Sequence, residues 1–441
     1  MRISSTMMSN NYLKQLNGTY EQYSKLMEQA DGSKLHRASD NAVGYSKYLR
    51  YQNNQISNEQ YQSNVGTAAS WMKNADAALV NVTDLLQTFK AKVEQGSNST
   101  NNESDMKDIA KELLANVQEQ VADLNTQIGD RFLFAGQKDT TMPFEISADK
   151  MSRGDTFTLD EKQSAFFSGA TGWGAENTTV KQMLKLNGDD GNSYYMNVNT
   201  GDVYTEDFVK NGYKNEDKFD PAKQRVGNIT AITDPPTAYK VSDHFDQYGV
   251  IKTDTGVGTN AKYNVTVDGK QVNLKLSTTK QYIVKYAGDD KYISMVKKNG
   301  GVDKATDTVN VTGQDINGCD LFDVGNDPHS GTARLNQLLY TVAKLDGADY
   351  KWAGEQGMTI ADSAHATVLG AQTKMAARQQ AYNSSSSMLV TQNESITSDI
   401  SDVSSTDVAQ LATKLMEYQT IYSLSLSVGS KILPGTLADY L

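Results

Sequence analysis

Residues 65–93 read VGTAASWMKNADAALVNVTDLLQTFKAKV. Apolar side chains recur there at Val65, Ala68, Met72, Ala75, Leu79, Val82, Leu86, Phe89 and Val93, in steps of three and four. On a helix of 3.6 residues per turn these positions share one narrow stripe, the seam of a coiled coil rather than the broad face of a globular helix. The polar stretch 96–102 closes that helix. Met106, Ala110, Leu113, Val117, Val121, Leu124 and Ile128 then form a second stripe, which predicts an antiparallel return. Val65, Met72, Leu79, Val82, Leu86, Phe89, Val93, Leu113, Val117 and Leu124 are the expected intrachain seam.

The pattern extends outward to both chain ends. The six prolines, at 143, 221, 235, 236, 328 and 434, leave everything before 143 and the stretch 329–433 free of the strongest helix breaker. Near the start, Tyr12, Leu16, Thr19, Tyr23, Leu26 and Ala30 keep helical spacing until Gly32 interrupts, and Ser39 or Asp40 is placed to cap the next helix. Beyond the middle, Leu335, Leu338, Val342 and Leu345 open a second arm, followed by a long polar helix from about 360 to 396. Its seam runs Ala364, Val368, Ala371, Met375, Arg378, Tyr382, Ser385, Leu389, Gln392 and Ile396, and the serine run 384–387 is a place for a break. Val408, Leu411, Leu415, Tyr418 and Tyr422 restore the register before the apolar side drifts to Ile421, Leu424 and Val428. The two terminal stripes have no long helical neighbour except each other, and isolated helices of that length are marginal in water. Tyr12, Leu16, Tyr23, Leu26, Leu411, Leu415, Tyr418 and Tyr422 are therefore expected to pack against other subunits or partners.

Between 143 and 330 the period changes to two. Residues 263–267 and 270–274 flank Asp268-Gly269 and read as a hairpin with a tight turn. Gly188-Asp189-Asp190 and Gly288-Asp289-Asp290 both read as hairpin turns and hint at a duplication. The expected fold is α+β, a long antiparallel helical bundle or coiled coil formed by both chain ends with an inserted β-rich domain. The expected divisions are terminal helices at 1–40 and 400–441, disordered until assembly; a helical bundle at 41–142 and 331–399; and an outward-facing β-rich domain at 143–330.

Composition argues against most chemistry. Apolar residues make up 38% of 441, a low share that suits thin bundles completed by neighbours better than a compact enzyme. A net charge of −11 with interspersed signs lacks the dense basic face that nucleic acid requires. His36, His244, His329 and His365 show no metal-ligand spacing, and no H-E-x-x-H motif occurs. His36, Ser39 and Asp40 are triad residue types packed too closely to converge on one atom, and no nucleophile-elbow glycines surround the serine. The 188–192 loop lacks the alternating ligands of a calcium site. Cys319 is the one cysteine, so neither an intrachain disulfide nor a thiolate metal cluster can form. No enzyme activity, cofactor, metal or membrane insertion is expected, and the first residues lack the apolar stretch of a cleaved signal.

Certain segments resemble a known family. Gly129-Asp130-Arg131-Phe132-Leu133-Phe134-Ala135-Gly136, followed by Pro143-Phe144, resembles the G-x-R-[YF]-[IL]-F-[AS]-G … P-F segment of flagellar hook-filament junction proteins, the FlgL family. Gly129, Arg131, Phe132, Phe134 and Gly136 carry that motif. Tyr286-Ala287-Gly288-Asp289-Asp290, with Thr312-Gly313 and Leu321-Phe322 downstream, is similar to the same family's Y-x-G-D segment and its later T-G…F. The opening Met1-Arg2-Ile3-Ser4 and the closing Leu437-Ala438-Asp439-Tyr440-Leu441 are also similar to family ends. Residues 32–44 resemble a wider flagellin pattern, and Ala38-Ser39-Asp40-Asn41-Ala42 leans toward flagellin because the junction family has prolines at its flanks. Residues 145–283 have no counterpart in the resemblance. The resemblance implies an extracellular flagellar subunit, exported unfolded with a chaperone and without a cleaved signal. It would sit between the first hook-associated protein and flagellin, in a homo-oligomeric ring of about eleven copies whose folding is coupled to assembly. The alternatives are a filament-forming flagellin and a surface-exposed binding or adhesion module carried by the insertion.

Overall fold

The computed structural model describes residues 2–168, 180–216, 219–229, 241–252, 262–293, 308–318, 320–322 and 331–432. The long helices are α1 (Arg2–Glu28), α2 (Ala42–Gly96), α3 (Glu103–Leu124), α4 (Ala333–Asp346), α5 (Met358–Ser404) and α6 (Val408–Ile432). The strands are β1 (Gln127–Ile128), β2 (Arg131–Phe132), β3 (Phe144–Ile146), β4 (Met151–Gly154), β5 (Thr156–Thr158), β6 (Gln182–Gly188) and β7 (Ser193–Met196). They continue with β8 (Asp202–Thr205), β9 (Gly227–Asn228), β10 (Lys262–Val267), β11 (Lys270–Leu276), β12 (Thr278–Gln281) and β13 (Val284–Tyr286). The fold is α+β, with long helices contributed by both chain ends and the strands inserted between them. Cys319, His329, Pro235, Pro236, Pro328, Pro434 and the closing segment 437–441 lie outside the described residues.

Backbone contacts divide the chain into two units, Met1–Gly66 with Asn383–Leu441, and Thr67–Tyr382. These boundaries fall inside α2 and α5, because the two ends of each helix have different partners. Before Gly66, α2 meets the end of α5, where Asn58 donates to the Gln392 side chain at 3.2 Å and Gln62 to the Leu389 carbonyl at 3.3 Å. After Thr67, α3 accompanies α2, with Asn116 donating to the Leu85 carbonyl at 3.0 Å.

In the first unit α1 packs along α6. The Tyr12 hydroxyl donates to the Ser425 carbonyl at 2.7 Å, and the Tyr20 and Tyr422 rings lie 5.7 Å apart. Two helix-joining loops dock on each other: Lys34 N–H donates to the Ser404 carbonyl at 2.7 Å, and Thr406 N–H to the Gly32 carbonyl at 2.9 Å. Gly32 holds φ at 92°, the left-handed conformation in which glycine suffers no Cβ clash. The cap of α2 is neither Ser39 nor Asp40. Asn41 takes that position and accepts from Gly44 N–H at 2.9 Å. Asp40 turns back and accepts from the backbones of His36 and Arg37, closing the loop that precedes the helix.

In the second unit the seam residues Met72, Leu79, Val82, Leu86, Phe89, Val93, Leu113, Val117 and Leu124 are buried, as Val65 is in the first. Asn102 and Asp105 form a capping box that starts α3. Ile128 is not part of its stripe, because α3 ends at Leu124 and Ile128 belongs to β1. The serine run does not interrupt α5. Ser387 returns its hydroxyl to the Asn383 carbonyl at 3.2 Å, and a propensity deficit of a few tenths of a kcal/mol per residue is small against tertiary packing. A π-helical turn at Ala353–Gly357 precedes α5. Phe89→Ala removes a fully buried ring from the seam, and urea unfolding should show a loss of about 3–5 kcal/mol.

The main sheet has the order β10-β11-β6-β7-β8-β9, with β5 also on β6. The expected hairpin is present: β10 and β11 pair from Val267↔Lys270 outward, and Asp268 and Gly269 both have positive φ, as a type I′ turn requires. Leu184, Leu186, Tyr194, Val203, Val265 and Leu274 bury its core face. Residues 188–192 turn between β6 and β7, as expected. Gly288-Asp289-Asp290 does not turn a hairpin: it follows β13 as a loop that folds onto residues 135–137, so the suggested duplication is not seen.

Candidate assembly surface

The predicted packing residues do not face away from the chain. Tyr12, Leu16, Tyr23, Leu26, Leu415, Tyr418 and Tyr422 are half-buried, and Leu411 is buried, in the pair formed by α1 and α6. The opposite terminus takes up the stripe, because a two-helix pair buries its most regular apolar face first. What remains open is a neighbouring set. Met7, Met8, Leu13, Tyr20 and Met27 on α1, and Val408, Met416, Ile421, Leu424, Leu426 and Val428 on α6, are exposed. Met8, Tyr12, Ile421, Leu424 and Val428 line an open groove between the two helices. The drift of the α6 pattern toward Ile421, Leu424 and Val428 was the sequence signal for this surface. The exposed side of α1 had none, since its residues fall between the stripe positions.

A second constellation lies in the other unit, where the motif segments converge on Tyr286. Gly129 and Asp130 turn the β1–β2 hairpin, with Gly129 at φ 63°. Arg131 pairs with Asp139 at 3.4 Å, Phe132 N–H donates to the Asp139 carbonyl at 2.7 Å, and Phe134 is fully buried. The Tyr286 hydroxyl lies 3.0 Å from the Phe134 carbonyl and 2.9 Å from that of Asp289, and Gly313 N–H donates to it at 3.3 Å. Asp289 N–H donates to the Ala135 carbonyl at 3.0 Å, and Gln137 N–H to the Asp289 carboxylate at 2.6 Å. Phe144 stacks 5.0 Å from the Tyr286 ring and pairs with it between β3 and β13. The Asn125 side chain binds both backbone groups of Phe144, at 2.8 and 3.0 Å. The arrangement is a clasp that joins chain segments far apart in sequence. No group of three or more metal-ligating side chains occurs among the described residues, and no described helix is long and apolar enough to cross a membrane.

One clasp carboxylate is electrostatically strained. Burial pushes the Asp290 pKa up, Asp315 and Asp289 add to the rise, and the Thr312 hydroxyl, donating at 2.5 Å, opposes it. A carboxyl whose pKa is higher folded than unfolded binds its proton more tightly when folded, so it favours the fold as pH falls through the folded value. Asp290→Asn keeps the acceptor for Thr312. The variant should lose that part of the stability gain on mild acidification above pH 3.8, measured as urea midpoints against pH.

A family profile described as the bacterial flagellin N-terminal helical region matches residues 3–139, which covers α1, α2, α3 and the motif hairpin. Among whole sequences, a flagellin from Salmonella montevideo is 26% identical over 302 residues, covering 59% of this chain and 58% of that one. The N-terminal third of the chain is thus similar to the helical region of flagellins. The chain spans less than two thirds of the curated flagellins it matches. Solved structures with some similarity to this chain include the flagellar junction protein FlgL from Legionella pneumophila, at 12% identity and a TM-score of 0.35, covering 76% of this chain and 98% of that one. Xanthomonas campestris FlgL is similar at 14% identity and a TM-score of 0.37, covering 80% and 99%. The profile's match takes in the α1 face with its exposed methionines.

Proposed function

We propose that the chain is a structural subunit of a bacterial flagellum that joins hook to filament. The observation that carries the reading is the unpartnered apolar surface along α1 and α6, which a free chain leaves in water and an assembly of copies would cover. The likeness of residues 3–139 to the flagellin N-terminal region supports the flagellar setting, and the convergence of both junction-type motif segments on Tyr286 favours an adaptor. In this reading the terminal helices stay loosely ordered until neighbouring copies bury them, in a ring that contacts the first hook-associated protein and flagellin. Delivery as an unfolded chain with an export chaperone belongs to the same reading. Tyr12, Leu16, Tyr23, Leu26, Leu411, Leu415, Tyr418 and Tyr422 hold the α1–α6 pair in shape, and the exposed flanks make the contacts between subunits. Cells lacking the chain should build hooks but no filaments and release flagellin into the medium, and normal filaments on such cells would refute the adaptor.

The sequence likeness to flagellins favours a second reading, a filament subunit. Purified chain that grows into long filaments by itself would establish that reading against the adaptor.

A further inference from the structure

The exposed apolar surface of the terminal helices is unusually rich in sulfur. Met7 is 66% exposed, Met8 59% and Met27 52%, all on α1, and Met416 on α6 is 64% exposed. Met8 borders the groove that Ile421, Leu424 and Val428 also line. In the second unit Met72, Met183, Met196 and Met375 are wholly buried. Met388 on α5 and Met142 are exposed as well, but both lie outside the α1 and α6 surface assigned to assembly.

We propose that this surface is an oxidation-sensitive modification site, in which peroxide converts the terminal methionines of the unassembled chain to sulfoxides and thereby blocks assembly. The inference rests on the assembly reading above. The thioether sulfur attacks one peroxide oxygen; an S–O bond forms, the O–O bond breaks, and the departing oxygen leaves as water after a proton shift. Sulfur loses two electrons and the peroxide gains them. The product is a polar acceptor on what was an adaptable apolar side chain. Seated in an apolar contact without a donor, each sulfoxide loses its hydration with nothing in exchange, which weakens the contact. Assembly itself withdraws the sulfurs from solvent, so the sensitivity belongs to the chain before it is incorporated.

The full-length chain is treated with graded hydrogen peroxide, and each methionine is followed by peptide mass spectrometry. Met7, Met8, Met27 and Met416 should oxidise at least ten-fold faster than Met72 and Met375. Oxidised chain is then added to hooks isolated from cells lacking it, and bound chain is measured by sedimentation. Binding should fall at least ten-fold and return after treatment with methionine sulfoxide reductases. A chain carrying Met7→Leu, Met8→Leu, Met27→Leu and Met416→Leu should bind regardless of peroxide. Met142→Leu, at an exposed position outside the terminal helices, should leave the sensitivity intact. Equal binding by oxidised and untreated wild-type chain overturns the proposal, as does resistance conferred by Met142→Leu alone. Should the fourfold variant fail to bind, the reductase arm decides, and binding that stays lost after the sulfoxides are reduced overturns the proposal. No binding by untreated chain overturns the assembly reading and this inference with it.

Discussion

Leu424→Glu should abolish incorporation of the chain into flagella while leaving the free chain as stable as before. Leu424 sits on α6, is 59% exposed and lines the groove beside Met8. Glutamate is nearly as good a helix former as leucine, so α6 keeps its propensity, and an exposed substitution of this kind changes folding stability by no more than about 0.5 kcal/mol. In an assembly that covers the groove, the same carboxylate is buried without a partner. A conservative loss of about 3 kcal/mol per contact weakens association by roughly 150-fold. Swimming in soft agar and the urea midpoint of the purified chain separate the two effects. Full motility with Leu424→Glu would place the assembly contacts elsewhere.

Gly136→Ala should be among the most destabilising single-methyl changes in the chain. Gly136 has φ at 71°, and a Cβ there would clash with both the backbone oxygen and a carboxylate oxygen of Asp289. The Asp289 backbone is pinned by its bond to Ala135 and by the Tyr286 hydroxyl, so relief requires giving up clasp hydrogen bonds. Backbone strain and the lost bonds together come to on the order of 3–5 kcal/mol. Gly129→Ala is the control. Its φ of 63° is equally left-handed, but a Cβ there meets open space, so only the conformational cost of about 1 kcal/mol remains. Urea unfolding at unchanged m-value measures both, and equal losses would remove the clasp's special role.

The parts of this fold that could be read from sequence are those with a strict local period. The 65–93 seam was legible because an apolar residue recurs at every third or fourth position over four heptads without a break. The Asp268-Gly269 hairpin was legible because a type I′ turn admits few residue pairs. The clasp was only half legible. Its motifs mark the segments, but no pattern says that Gly136 and Asp289, 153 positions apart in the sequence, must touch. The cap of α2 was missed by one residue because Ser39, Asp40 and Asn41 are all capping types, and only geometry chooses among them. The exposed apolar flank of the terminal helices was not legible, since it lies a helix rotation away from the regular stripe. Periodicity finds the strongest stripe, which the opposite terminus takes, and the weaker flanks left exposed resemble ordinary surface.

Hydrogen–deuterium exchange, comparing the purified chain with intact flagella, tests the central claim most directly. The account predicts that amides of α1 and α6 exchange within seconds in the free chain, become protected at least a hundred-fold after assembly, and contrast throughout with the slow amides of α3. Terminal helices equally protected in both states would contradict it, because a surface that is already finished has no need of neighbours.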